Sequence, residues 1–241
     1  MIRGACPLLS DRISDDLLLS WNSVTLPLKT QKIISMKDME CVGYEVLLNL
    51  SPAFISSLGA HDKFILNGCA LEHTLNFLHR TPKSKSYGKK IFINIDRSNL
   101  CNKIFLRKIV ALFNSLHQRY NIELVIEITE RNICGFCLSI AEGMSFLVKN
   151  GVSLAVDDFD IYSGDFRCLE VDLDMYKYIK IEVPKTEEEY SLLDSFINDN
   201  KKGRIVIERI ESQEQLNNIN VQEIYACQGY FFHKADSIVS F

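Results

Sequence analysis

The sequence predicts an α/β fold, a (β/α)8 barrel with one antiparallel strand, and three observations carry that expectation. Strand-like apolar runs alternate with helix-periodic segments, and the strands number eight, the arithmetic of a closed barrel. The first two runs are joined by a polar turn through Lys37, Asp38 and Glu40, as in a hairpin, so one of them opposes the rest. Five runs end in a metal-capable polar group or a lysine: Ile91–Asn94, Leu124–Glu127, Leu154–Asp158, Tyr178–Lys180 and Ile205–Glu208. Successive ends lie roughly 20–35 residues apart, about the length of a βαβ unit. A doubly wound open sheet is the competing architecture.

Residues 1–20 read as a tail or a short peripheral helix, and 21–241 as the barrel domain. The first two β-rich runs cover 24–34 and 41–48. Phe64, Ile65, Cys69, Leu71, Leu75 and Leu78 recur at helical spacing and predict a helix over 62–80. A polar loop runs from Thr81-Pro82 to Gly88. Strand 91–95 leads to helix 102–119, and strand 122–128 to helix 136–149, where Asn150-Gly151 is a C-cap signal. Strand 152–157 enters an irregular stretch, 158–174. Strand 176–181 follows, then Pro184 opens a helix to about Asn200, which Lys201-Lys202-Gly203 closes. Strand 204–208, a short helix 212–218 and strand 221–226 complete the pattern.

With 241 residues, 47% apolar and 24% charged, the chain suits one soluble globular domain. Its net charge of −4 gives no broad surface for nucleic acid, so neither DNA nor RNA is an expected partner. An anionic substrate would need bound cations to supply positive charge. No apolar run approaches the ~20 residues of a membrane span, and Asp11, Arg12, Asp15 and Asp16 interrupt any signal-like core, so no membrane partner is expected. Eight scattered cysteines fit free thiols in a reducing cytoplasm. Cys134 and Cys137 have CxxC spacing, but no second pair completes a zinc site, and they read as thiols beside a turn.

The polar strand ends share a parity. Phe92 and Asn94 lie on one face of their strand, as do Val125 and Glu127, Tyr178 and Lys180, and Val206 and Glu208. In a parallel barrel the strand C-termini converge on the face that carries chemistry. Any one of these residues alone reads as a strand end or helix cap. Together, carboxylates, an amide and a lysine on one rim predict a divalent-metal site, because a dication offsets both desolvation and mutual repulsion.

Several segments then resemble a known family. Val42-Gly43-Tyr44-Glu45-Val46-Leu47 is similar to the signature segment of the EAL domain, the bacterial cyclic-di-GMP phosphodiesterase family. Phe92–Ile95, Glu123–Glu130, Val156–Phe159, Tyr178–Glu182, Ile207–Glu211 and Gln228–Phe232 resemble its other conserved segments, in order and at matching spacing. The resemblance implies a TIM-like (β/α)8 barrel with one antiparallel strand. It implies that Glu45, Asn94, Glu127 and Asp157 hold one divalent ion, with Asp157 bridging to a second held by Asp158. Mg²⁺ or Mn²⁺ is expected at both places, because oxygen ligands suit hard cations. Lys180 and Glu208 match the catalytic residues that bind and activate the attacking water. Glu211 and Gln228 match supports of site and substrate, and Glu130 matches a glutamate that anchors a loop.

The implied activity is metal-dependent hydrolysis of cyclic-di-GMP to linear pGpG in the cytoplasm. Five features depart from the family pattern. Asn49 stands where an arginine usually contacts a substrate phosphate, and Leu26-Pro27 stands in place of an early Gln-Pro. Asp160 and Arg209 stand where glycines are usual, and the stretch to Lys180 is two residues longer than typical. That stretch helps order the second metal site and a dimer contact, so a homodimer is left open. The departures motivate an alternative: a catalytically weak or inactive regulator that acts by binding nucleotide or protein. An unrelated barrel metalloenzyme of the enolase type is a third reading, which the absence of a capping domain disfavours.

Overall fold

The structure is a computed structural model, and it describes residues 26–51, 68–80, 88–130, 137–200 and 204–237. Eight strands close a ring: β1 (Leu28–Ser35), β2 (Cys41–Leu48), β3 (Lys90–Ile95), β4 (Glu123–Ile128), β5 (Ser153–Val156), β6 (Tyr178–Glu182), β7 (Arg204–Glu208) and β8 (Ala226–Cys227). Strands β2 to β8 pair in parallel with their neighbours in sequence order. β1 runs antiparallel to both β2 and β8 and closes the barrel. The helices are α1 (Cys69–Arg80), α2 (Lys103–Tyr120), α3 (Leu138–Lys149), α4 (Cys168–Asp172), α5 (Glu187–Asp199) and α6 (Gln213–Asn217), with a 3₁₀ turn at Arg97–Cys101.

The alternation of each strand sorts its side chains into two cores. Ile33, Phe92, Val125, Ala155, Tyr178, Val206 and Ala226 form one buried cluster, one residue from each of seven strands, and it fills the barrel interior. Gly43 takes the β2 place in this layer; a Cβ there would lie 3.2 Å from Phe92 Cε2 and 2.9 Å from the Lys90 carbonyl oxygen. The residues between, such as Ile93, Ile126, Val156, Ile179 and Ile207, belong to the second cluster, which packs beneath the helices. Period 2 along every strand is the cause: one set points to the axis, the other to the helical layer. Helix ends are set locally. Asn102 caps α2 through its side chain and Asn121 ends it in the left-handed region (φ 53°), while Thr186 caps α5.

Three segments differ from the sequence expectation. The last barrel strand is Ala226–Cys227 rather than 221–226. Residues 221–225 turn tightly, with the Glu223 N–H donated to Asn220 O, and the ladder is joined only at Tyr225, whose N–H donates to Ile205 O. The stretch 158–174 contains α4, too short for a periodic apolar signal. A two-residue strand β9 (Asp236–Ser237) adds to β1 beside Lys29 and Thr30. Expectations for the tail 1–20, residues 62–67 of the first helix, the loop 81–87 and Cys134 lie outside the described residues. The described cysteines are free thiols. Among the described residues, no helix is long and apolar enough to cross a membrane.

Candidate active site at the carboxyl ends of the strands

The layer above the apolar interior is polar because each strand advances two residues. Phe92 leads to Asn94, Val125 to Glu127, Ala155 to Asp157, Tyr178 to Lys180, Val206 to Glu208 and Ala226 to Gln228. On β2 the step runs from Gly43 to Glu45, and on antiparallel β1 from Ile33 back to Gln31. Gln31 and Glu45 are register partners, as are Asn94 and Glu127. All but the buried Glu127 line one cavity of about 430 Å³ at this mouth, together with Asp158, Arg209, Glu211 and Tyr230.

Lys180 stands at the centre. Its side chain is 1% exposed, and Nζ lies 2.7 Å from Glu127 Oε1, 2.8 Å from Glu208 Oε1, 2.9 Å from Asp157 Oδ1 and 3.5 Å from Glu45 Oε2. Glu45 is further held by amides: Asn94 Nδ2 donates to its Oε1 at 2.9 Å, and Gln228 Nε2 donates to its Oε2. The same Gln228 nitrogen lies 3.0 Å from Gln31 Oε1. Gln31 escaped the sequence reading because an amide inside an alternating strand carries no motif. Its signal is positional, as the register partner of Glu45 two residues from an interior isoleucine.

One ammonium does not neutralise four carboxylates, and the titration behaviour follows. Burial pushes Glu127 well above the usual carboxylate range, and the Glu45 charge adds to it. Burial likewise raises Asp157, against the pull of Lys180. Glu208 is raised by burial to about 8, again against Lys180. For Glu45, burial is outweighed by Lys180 and by the Gln228 and Asn94 donors, and its pKa falls. For Lys180, burial is outweighed by Asp157, Glu127, Glu208 and Glu45, so it stays charged.

The oxygen acceptors are incompletely satisfied. Asn94 Oδ1, Glu127 Oε2, Glu208 Oε2 and Gln228 Oε1 are buried without a hydrogen-bond donor, while Glu127 Oε1 has only the Lys180 ammonium. Buried acceptors of this kind are costly. Among the described residues, no three His, Cys, Asp or Glu side chains already surround an open point as a metal cage. Lys180 Nζ occupies the point on which the carboxylates converge. The surplus negative charge and the unpartnered oxygens are nevertheless the chemistry that a hard divalent cation satisfies, so the donor set fits such an ion.

Asp158 follows Asp157 on a left-handed backbone (φ 44°) and is about 40% exposed at its side chain. Arg167, fully buried, fixes this turn. It donates from Nη1 to Ile128 O at 3.0 Å, from Nη2 to Asp158 O at 3.2 Å, and from Nε to Asp165 Oδ1 at 2.9 Å. Tyr162 ties the same loop to β6, its hydroxyl donating to Glu182 O at 2.8 Å. The remaining expected residues lie outside this inner group. Glu211 is exposed on the rim, with its backbone N–H donated to Gln215 Oε1 at 2.7 Å. Glu130 is exposed and lines a neighbouring cavity of about 570 Å³ with Asp158, Asp160, Glu182 and Arg209. Neither Asn49 nor Leu26 lines the mouth cavity.

Known proteins share this arrangement of strands. The chain is 31% identical over 156 residues to the Escherichia coli K12 "Probable cyclic di-GMP phosphodiesterase PdeG", covering 61% of this chain and 30% of that protein. It is 24% identical over 226 residues to the E. coli K12 "Probable cyclic di-GMP phosphodiesterase PdeD", covering 84% and 40%. It therefore spans less than half the length of these curated relatives. The fold is similar to that of the PaMucR phosphodiesterase in complex with c-di-GMP, with TM-score 0.71, 18% identity, and 89% and 98% of the two chains covered. It is also similar to that of Klebsiella pneumoniae BlrP1 in a calcium/cyclic-di-GMP complex, with TM-score 0.69, 15% identity, and 90% and 57% covered. The EAL domain model matches residues 31–235, nearly the whole of the barrel, and the chain belongs to the EAL domain family.

Proposed function

We propose that this chain hydrolyses cyclic di-GMP to linear pGpG with the help of two divalent cations, Mg²⁺ or Mn²⁺. The observation that carries the reading is the gathering of Glu45, Asn94, Glu127, Asp157 and Glu208 around one buried lysine, with oxygens left unpartnered. The relatives' printed names and the ligands of the neighbouring structures support the substrate and the divalent ions. Glu45, Asn94, Glu127 and Asp157 would hold one ion, and Asp157 with Asp158 the other. When bound, the ions lower the pKa of a water and stabilise charge on the phosphoryl oxygens.

The chain's own groups position the reactants. Lys180 donates to the attacking water and holds the four carboxylates together. Glu208, whose pKa burial brings to about 8, takes the water proton once it is ionised, a form that gains population as pH rises through 8. Water oxygen bonds to one phosphorus, the bond from that phosphorus to the 3′-oxygen breaks, and the leaving oxygen ends as a hydroxyl. Gln228 and Gln31 hold Glu45 in register, while Glu211 lines the rim that the nucleotide meets. Glu130 takes the place of the family's loop-anchoring glutamate. The barrel domain is assigned to 21–241, and the substrate places the reaction in the cytoplasm.

The test is chromatographic separation of pGpG from cyclic di-GMP in Mg²⁺ or Mn²⁺, with Glu127→Ala as control. Turnover by the native protein and its loss by about a thousandfold in the variant is the expected result. Native protein without turnover overturns the enzyme reading. Asn49 and Leu26, which stand where the family usually has an arginine and a glutamine, favour a second reading: a regulator that binds nucleotide or protein without cleaving. Nucleotide binding without turnover selects that one.

A further inference from the structure

Arg209 follows Glu208 directly and lines both the mouth cavity and its neighbour. Its backbone is left-handed, φ 58°, a conformation that glycine adopts freely and a long side chain does not. Among the described residues, the pairs it makes are too weak to repay that strain. The side chain is 59% exposed, its guanidinium lying 3.3 Å from Glu182 Oε1 and 3.7 Å from Asp158 Oδ1, and exposed pairs of this length are weak. Strain held in an exposed residue at a cavity mouth points to a ligand.

The charge around the cavity says which ligand. Of the described side chains lining it, two are cations, Lys180 and Arg209. Lys180 is buried and occupied by four carboxylates, so it has little to offer an incoming anion. Arg209 is the exposed one, on a rim otherwise marked by Asp158 and Glu211. A guanidinium presents two parallel N–H donors that match two oxygens of one phosphate. The loose pairs with Asp158 and Glu182 keep it at the mouth, which reduces the ordering cost when an anion arrives.

We propose that Arg209 is a specificity-determining residue that grips a phosphodiester group of the nucleotide. This rests on the nucleotide reading above and names the side chain that recognises the anion. The test is calorimetric titration of cyclic di-GMP into the native protein, Arg209→Gly and Arg209→Lys in CaCl₂, at several salt concentrations, with thermal melts of each. Arg209→Gly should bind about tenfold more weakly or worse, as for loss of a charge-assisted pair. Its affinity should also fall less steeply with salt. Arg209→Lys should keep the salt dependence and part of the affinity. Glycine should melt at or above the native temperature, because the strained backbone is relieved. Equal affinity of native and Arg209→Gly overturns the inference and leaves the nucleotide reading standing. Weak binding accompanied by a lower melting temperature overturns it in favour of a structural role. Native protein that binds no nucleotide overturns the reading and the inference together.

Discussion

Replacing Lys180 with methionine should destabilise the apo protein more than any other single change at the mouth. The volume is nearly conserved, so the cost is electrostatic. Three carboxylate oxygens lie within 2.9 Å of Nζ, and a fourth lies at 3.5 Å. Removing one partner of a buried ion pair costs about 3–5 kcal/mol. The four losses do not add, because the orphaned carboxylates can take up protons; Glu208 already has a pKa of about 8. A net loss of about 3 kcal/mol is therefore expected, a large share of the ~5–15 kcal/mol that holds a domain together. Urea titration by circular dichroism would read it as a midpoint lower by about 1 M. Saturating Mg²⁺ should return more stability to Lys180→Met than to the native protein, since the cation then supplies the missing charge. A loss under about 1 kcal/mol would refute the reasoning, because the ammonium would then not be what holds the carboxylates together.

Three further outcomes follow from other parts of the barrel. Burial raises Glu123, but Lys177 at 2.6 Å and Ser153 at 2.7 Å outweigh it and hold its pKa below the usual carboxylate value. Its stabilisation is present above the unfolded carboxylate pKa and lost as pH falls through the lower folded one; Glu123→Gln should flatten this acid limb in melts between pH 5 and 2. Gly143→Ala gains helix propensity but puts a Cβ 2.2 Å from the Leu100 carbonyl oxygen, so a net loss of about 1–3 kcal/mol in urea titration is expected. Arg167→Lys keeps the charge but not the fork that spans Ile128 O, Asp158 O and Asp165; turnover should fall about tenfold or more with the fold intact by circular dichroism.

Much of the site was legible because strand alternation is a local property. Asn94, Glu127, Lys180 and Glu208 each sit two residues beyond an apolar neighbour on the same face, and the structure brings all four to one mouth. Gln228 was legible through its segment, and its buried amide reaches Glu45 across the barrel. Gln31 was not legible, because its part depends on β1 running antiparallel in register with Glu45. Glu130 was placed by resemblance alone, and it lines the neighbouring cavity with Asp158. The last strand was misjudged over 221–225 because an apolar run inside a tight turn has the same letters as a strand.

The chain's letters alone determined the barrel, its antiparallel first hairpin and the oxygen-rich ends of its strands, since those depend on periods of two and on short-range turns. Only the tertiary structure decided that Lys180 lies amid four carboxylates, that Arg167 stitches the ends of β4 and β5, and that Arg209 is the exposed cation of the mouth. Those facts depend on side chains from strands far apart in sequence meeting across a closed ring. Electrostatic energy follows distance in space, and no local pattern encodes that.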